Sequence, residues 1–175
     1  MPSKLAINAI VIKKKELLNL DNLITILTED FGKINILAKG IKKINSRRAP
    51  HIQTANFINI VLYHKYGRYY LQESNMISGF SSIKKSPKKI SLVYYLFSVI
   101  DKILPENQKE EDVYKITINF LIQLSKLDKF DNSFIEKYMN LIMKKLGYTS
   151  KKRTLEEIHT IIEDIIGKKL PFFVI

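Results

Sequence analysis

Six cations crowd one short stretch of this chain: Lys33, Lys39, Lys42, Lys43, Arg47 and Arg48. Lys33 and Lys39 fall on the same face of a period-two segment, and the other four follow in the loop that leaves it. A row of this kind suits a phosphate backbone, because each cation that meets a phosphate releases condensed counterions. Lys13, Lys14 and Lys15 end the first apolar segment and extend the row if that strand lies beside it. The competing reading is a solvated loop in a lysine-rich chain. The net charge is +12, yet arginine supplies only four of the 29 basic residues, and the chain is rich in Lys, Ile and Asn. AT-rich coding sequence favours those three residues, so the positions of the charges weigh more than their sum.

Aromatic rings beside such a row would add base stacking to phosphate contact. Tyr63, Tyr66, Tyr69 and Tyr70 cluster around one turn, and alternation sends Tyr69 and Tyr70 to opposite faces. Half of such a cluster is expected in the core. Lys84, Lys85, Lys88 and Lys89 precede a helical apolar stripe. They are read either as a solvated helix start or as the rim of a groove for an acidic, hydrophobic-tipped peptide.

Signatures of catalysis are missing from the sequence. There is no cysteine, hence no thiolate zinc site, iron–sulfur cluster or cysteine nucleophile. The six glycines are isolated and form no phosphate-cradling loop. His51, His64 and His159 have no ligand-spaced partner. Glu110–Glu111 and Glu156–Glu157 fall in first helical turns, where the helix dipole accounts for them. No metal, no cofactor and no small-molecule substrate are expected. No apolar run approaches the roughly 18 residues of a membrane span, and the first residues do not form a secretory signal, so a cytoplasmic protein with no membrane partner is expected.

Those residues must be held by two kinds of structure. Up to about residue 80 the apolar residues recur every second position. Residues 5–12, 23–28, 34–39, 57–63 and 69–77 are predicted strands, with turns at Asp30-Phe31-Gly32-Lys33 and Lys65-Tyr66-Gly67-Arg68. Five short antiparallel strands in that length predict a closed OB-fold barrel. Beyond it the period lengthens to three or four and predicts four helices. The first is capped by Ser86 with Pro87 behind it, and carries Val93, Leu96, Phe97, Ile100 and Leu104. The second opens at Glu110-Glu111-Asp112 and carries Val113, Ile116, Phe120, Leu124 and Leu127. The third has a capping box of Ser133 and Glu136 and the stripe Ile135, Tyr138, Met139 and Ile142. The fourth has a capping box of Thr154 and Glu157 and runs through Ile158, Ile161, Ile162 and Ile165 to Gly167. The whole is predicted as an α+β protein: a nucleic-acid-binding barrel over 1–80 and a small C-terminal helical bundle over 81–175. The apolar tail Leu170-Pro171-Phe172-Phe173-Val174-Ile175 is expected to dock on that bundle.

The order of these features resembles the RecO family. It runs from Ala9-Ile10-Val11-Ile12-Lys13 through Asp21 to Leu23-Ile24-Thr25-Ile26-Leu27-Thr28. Gly32-Lys33, Ala38-Lys39-Gly40 and Ser46-Arg47 follow, and Gly67 with Tyr70-Leu71-Gln72-Glu73 marks the second hairpin. Ile165-Ile166-Gly167-Lys168-Lys169-Leu170 resembles the family's closing helix, so the similarity covers nearly the whole chain. The resemblance implies a non-catalytic recombination mediator in DNA repair. Such a protein binds single- and double-stranded DNA and anneals complementary strands. With RecR it helps load RecA onto DNA coated by single-stranded-DNA-binding protein (SSB), whose acidic C-terminal tail it engages through its helical part. By position, Lys33, Lys39, Lys42, Arg47 and Arg48 fall in the strand and loop that the family uses on DNA.

The chain also departs from the family pattern. Only 147–153 stands where many members insert a four-cysteine zinc module, so a short form without zinc is expected. Leu18-Asn19 replaces a common Gly-Glu pair, Thr54-Ala55 stands where a Pro is usual, and the helical part is reduced. Two alternatives from other classes are an RNA- or ribosome-associated OB-fold protein and an adaptor for an acidic protein tail.

Overall fold

A computed structural model describes residues 4–18, 21–41 and 46–170 of the chain. Five strands, β1 (Lys4–Glu16), β2 (Asn22–Thr28), β3 (Gly32–Ala38), β4 (Phe57–Lys65) and β5 (Arg68–Ser78), close into a barrel in the order β1-β2-β3-β5-β4. All neighbours are antiparallel except β3 and β5, which meet in parallel at Ile36–Tyr69 and Leu37–Tyr70. This is the predicted OB-type barrel. Its interior is filled by the inward half of each period-two segment: Ile7, Ala9 and Val11 from β1, Ile24 and Ile26 from β2, Ile34 and Ile36 from β3, and Ile58, Ile60 and Leu62 from β4. β-branched side chains suit the pleated, buried surface. Strand β1 closes the barrel because it pairs twice. Its first half lies against β4, its second half against β2, and a bulge between Val11 and Lys13 bends it from one to the other.

Two turns depend on particular residues. Between β2 and β3 the Thr28 hydroxyl accepts from the Phe31 N–H and donates to the Gly32 carbonyl, each at 3.1 Å. Gly32 has φ +63°, and a Cβ there would stand 1.7 Å from the Gln108 carbonyl oxygen. Between β4 and β5, Tyr66 and Gly67 have φ of 51° and 70°. Two successive positive φ values make a two-residue hairpin turn whose twist matches the strands.

The chain divides into two compact units. The first runs to Gly79 and takes in Glu106–Glu111; the second begins at Phe80 and resumes at Asp112. Nothing in the hydrophobic pattern marks the excursion of Glu106–Glu111. It runs beside the start of β3, where the Asn107 N–H donates to the Lys33 carbonyl at 2.9 Å and Asn35 Nδ2 donates to Glu106 Oε1 at 2.6 Å.

The second unit holds α1 (Ser81–Lys84), α2 (Pro87–Ile103), α3 (Glu111–Lys126, counted here from Asp112), α4 (Asn132–Lys145) and α5 (Leu155–Ile166). Of these, only the single turn α1 has no counterpart among the predicted helices. Ser86 caps α2 with Pro87 at its first position, and the whole predicted stripe from Val93 to Leu104 is buried. Thr154 and Glu157 form the predicted capping box of α5, and Gly167 ends it at φ 64°. The start of α4 differs from expectation. Asp131, two residues earlier, is the N-cap, and its carboxylate accepts from both the N–H and the hydroxyl of Ser133. A carboxylate is the stronger acceptor at the positive end of a helix, so it takes the cap from the hydroxyl. Ile165 closes the α5 stripe 39% exposed, because only Ile158 and Ile162 are buried along that helix. Leu170 is buried, and the rest of the apolar tail lies outside the described residues.

Candidate nucleic-acid interface

Strand register decides which cations share a surface. The ladder Lys13–Thr25–Asn35 crosses β1, β2 and β3, and the ladder Lys15–Leu23–Leu37 runs beside it. Partners in a ladder stand on one face of a sheet. Ile24, Ile26, Ile34 and Ile36 fill the interior, so these ladders are on the outside of the barrel. Thr25 Oγ1 donates to Asn35 Oδ1 at 2.7 Å between them. Lys39 continues the β3 end of the same face. Lys13, Lys15, Lys39 and Arg47 are exposed, and Lys14 is half-buried with its Nζ 3.4 Å from Gln53 Oε1.

Two expected members of the row have other surroundings. Lys33 is on the outer face, as the alternation requires, yet it is only 5% exposed. It pairs with Leu27 across the β2–β3 ladder, and its backbone forms a parallel β-bridge with that of Glu106 in the crossing segment. That segment is itself anchored: Lys109 Nζ lies 3.4 Å from both Asp30 and Glu111, whose carboxylates raise its pKa. Arg48 is half-buried, and its guanidinium donates to the carbonyls of Leu71 at 2.9 Å and Lys39 at 3.0 Å. It therefore ties the loop after β3 to β5. Lys42 and Lys43 lie outside the described residues.

The loop carrying Arg47 is fixed by further contacts. Asn56, fully buried, donates through Nδ2 to the carbonyls of Pro50 and His51 at 2.9 and 2.7 Å, while its own carbonyl accepts from Val11 N–H at 2.9 Å. His51 Nδ1 meets Ser74 Oγ at 3.0 Å, which fastens the loop to β5. Asp21 Oδ1 accepts from the Gly40 N–H at 2.7 Å and joins the β1–β2 connection to the end of β3.

The tyrosines sort by register from the two-residue turn. Tyr63 faces Tyr70 and His64 faces Tyr69 across β4 and β5. Tyr69 packs inward on the barrel core. Tyr63 and Tyr70 point outward with their rings stacked, 4.9 Å between centroids at an interplanar angle of 12°. Lys39 Nζ stands 5.1 Å from the centroid of Tyr70. Lys65 stands 4.8 Å from the ring of Tyr66, itself 86% exposed at the hairpin tip. Counting outward from Tyr66-Gly67 yields the Tyr63–Tyr70 pair directly; composition and alternation alone gave only the cluster.

In the helical unit Lys84, Lys85 and Lys88 are exposed and Lys89 is buried, which shortens that basic rim. Partial desolvation of the Lys84 ammonium lowers its pKa from the usual value. Lys88 borders an open depression of about 440 Å³ with Phe130, Asp131, Asn132 and Ser133. Among the described residues no cluster of His, Asp and Glu is placed to hold a metal ion, and no helix is long and apolar enough to cross a membrane.

Comparison with known proteins meets this geometry at the barrel. Residues 1–80 match the family model of the recombination protein O N-terminal region. The DNA repair protein RecO of Caldanaerobacter subterraneus subsp. tengcongensis is 29% identical over 140 residues, covering 80% of this chain and 57% of that protein. The DNA repair protein RecO of a Thermoanaerobacter species is 31% identical over 140 residues, covering 80% and 56%. That of Acetivibrio thermocellus is 24% identical over 141 residues, covering 81% and 56%. The chain thus spans a little over half the length of the curated relatives it matches.

Proposed function

Through its first 80 residues the chain belongs to the RecO family, and from that premise we propose that it acts in DNA repair as a non-catalytic DNA-binding recombination mediator. In this reading the outer face of the barrel binds single- and double-stranded DNA, and strands held there anneal. The observation that carries it is the set of exposed cations: Lys13 and Lys15 on the β1–β2–β3 face, Lys39 just past the end of β3, and Arg47 in the loop that follows. Between these cations lie half-buried Leu23 and Leu37 and the mutually bonded Thr25 and Asn35. Such a surface neutralises phosphates and offers few groups that read base edges. Two strands of any sequence can be brought together on it while their bases stay free to pair.

Assistance to RecA loading on SSB-coated DNA, with RecR as a partner, follows from the family. The exposed Lys88, which borders the Phe130 depression, with Lys84 and Lys85 exposed before α2, supports a contact with the acidic SSB tail.

The test is annealing of two complementary DNA strands followed by fluorescence, naked and SSB-coated, across a salt series. Engagement of about five phosphates gives a slope of log affinity against log salt of roughly −3.5 on single strands. Faster annealing with such a slope supports the proposal. Binding of an SSB-tail peptide with no affinity for DNA would replace it by the adaptor reading, and a preference for structured RNA would replace it by the RNA-binding one.

A further inference from the structure

We propose that Tyr63 and Tyr70 form a stacking platform for the unpaired bases of single-stranded DNA, an inference that rests on the DNA-binding reading above and adds a base-contacting half to it. The two rings lie on the outside of the barrel. One register step further in, Leu62 and Leu71 turn into the core, and Tyr69 packs there too. Tyr63 and Tyr70 therefore leave the core to those neighbours. They remain half-buried, near parallel and 4.9 Å apart, a short aromatic column standing on the sheet.

Cations stand at both ends of that column. Lys39 caps it at Tyr70, 5.1 Å from the ring centroid. At the other end Lys4, exposed, is the cross-strand partner of Tyr63 on β1. Across four strands the order is Lys4, Tyr63, Tyr70 and Leu37, with Lys39 one step along. A flexible lysine over a ring holds the place that a base takes when it stacks, and an ammonium displaced from the ring still reaches the adjoining phosphate. The alternation of cation, aromatic pair and cation fits a polyanion carrying flat apolar groups. An acidic peptide has no equivalent for the parallel rings. Duplex bases are already stacked on one another, so the platform acts on single strands alone. Every base has a π-face, which makes the contact tolerant of sequence. Its effect is to hold splayed bases beside the phosphate row formed by Lys39, Lys13 and Lys15.

The experiment compares Tyr63→Leu and Tyr70→Leu, which keep apolar volume and lose the ring, with Tyr63→Phe and Tyr70→Phe, which keep it. Affinities for a thymine oligonucleotide and for a duplex of equal length are measured by anisotropy, with circular dichroism to establish folding. The leucine variants should lose about ten-fold or more on the single strand and leave the duplex nearly unchanged, and the phenylalanine variants should behave as the original chain. Equal losses on both DNAs, or none, overturn the platform. The chain has no tryptophan, so Tyr63→Trp supplies a reporter that does not rely on loss. Its emission should be quenched by the oligonucleotide and not by the duplex; no change overturns the proposal even if the leucine variants fail to fold. If the unaltered chain binds neither DNA, the DNA-binding reading itself fails. If it binds both and the tyrosine variants change nothing, the platform alone falls.

Discussion

Lys39 and Arg48 belong to the same sequence cluster, but their side chains serve different ends. Lys39 is exposed and its ammonium meets the face of Tyr70 on the barrel surface, whereas the Arg48 guanidinium is spent on the carbonyls of Leu71 and Lys39. Their substitutions should separate accordingly. Arg48→Ala strips a charged donor from carbonyls in a half-buried site and should cost about 1.5–3 kcal/mol of stability in urea unfolding. Arg48→Lys should recover little, because an ammonium cannot bridge two carbonyls as the planar fork does. Lys39→Glu should leave the unfolding midpoint almost unmoved and weaken DNA binding. A Lys39→Glu variant that lost stability but kept its DNA affinity would remove Lys39 from the proposed interface. Lys33 groups with Arg48 here: at 5% exposure, reversing its charge should act on folding before it acts on binding.

Single elements depend on backbone features that a side-chain inventory does not show. Gly32 combines a positive φ with the near approach of Gln108. Gly32→Ala should both strain the β2–β3 turn and push the crossing segment Glu106–Glu111 off β3. The expected result is a loss of about 1–3 kcal/mol together with faster hydrogen exchange at Asn107, whose N–H is bonded to the Lys33 carbonyl. Exchange at Asn107 that stayed as slow as in the unaltered chain would show the segment to be held by other contacts. Helix α5 should carry a pH dependence whose sign follows from its capping carboxylate. The Thr154 N–H, donating to Glu157 Oε2 at 2.8 Å, and then Arg153 hold the Glu157 carboxyl below the usual carboxylate range. A depressed folded-state pKa stabilises above the unfolded value and fades as pH falls through the folded one. Glu157→Ala should therefore lower the melting temperature at neutral pH, and its difference from the unaltered chain should shrink below about pH 4. A difference that persisted in acid would assign the effect to helix propensity instead of the capping carboxylate.

The molecule as a whole carries +12, and its distribution determines what that excess does. If the charge acted diffusely, removing any two cations would weaken DNA binding alike. If it acts through the barrel face, position matters. Lys39→Glu with Arg47→Glu should flatten the salt dependence on single strands by about 0.7 in slope for each phosphate that is no longer neutralised. The same reversals at Lys151 and Lys152, exposed before α5 in the helical unit, should leave the slope unchanged. Equal flattening by both pairs would favour diffuse attraction over a site.

Period and punctuation were legible in the sequence because they are local. Alternation placed Ile34 and Ile36 inside and Lys33 and Lys39 outside, and Tyr66-Gly67 set the β4–β5 register. Ser86, Pro87, Thr154 and Gly167 marked helix ends by their own backbone preferences. The five-stranded barrel followed by helices was readable from these alone. What covers an outward residue was not. Lys33 and Lys39 have the same residue type and the same strand parity, and nothing between residues 33 and 39 says that a segment from beyond residue 105 runs beside the first, which is buried, while the second stays exposed. Nor could local pattern tell that Arg48 would turn to main-chain carbonyls while Arg47 stayed in water, or that Asp131 would take the cap from Ser133. Periodicity fixes the side of a strand to which a residue points. Burial and hydrogen-bond partners depend on segments distant in sequence, and they enter only when the chain closes on itself.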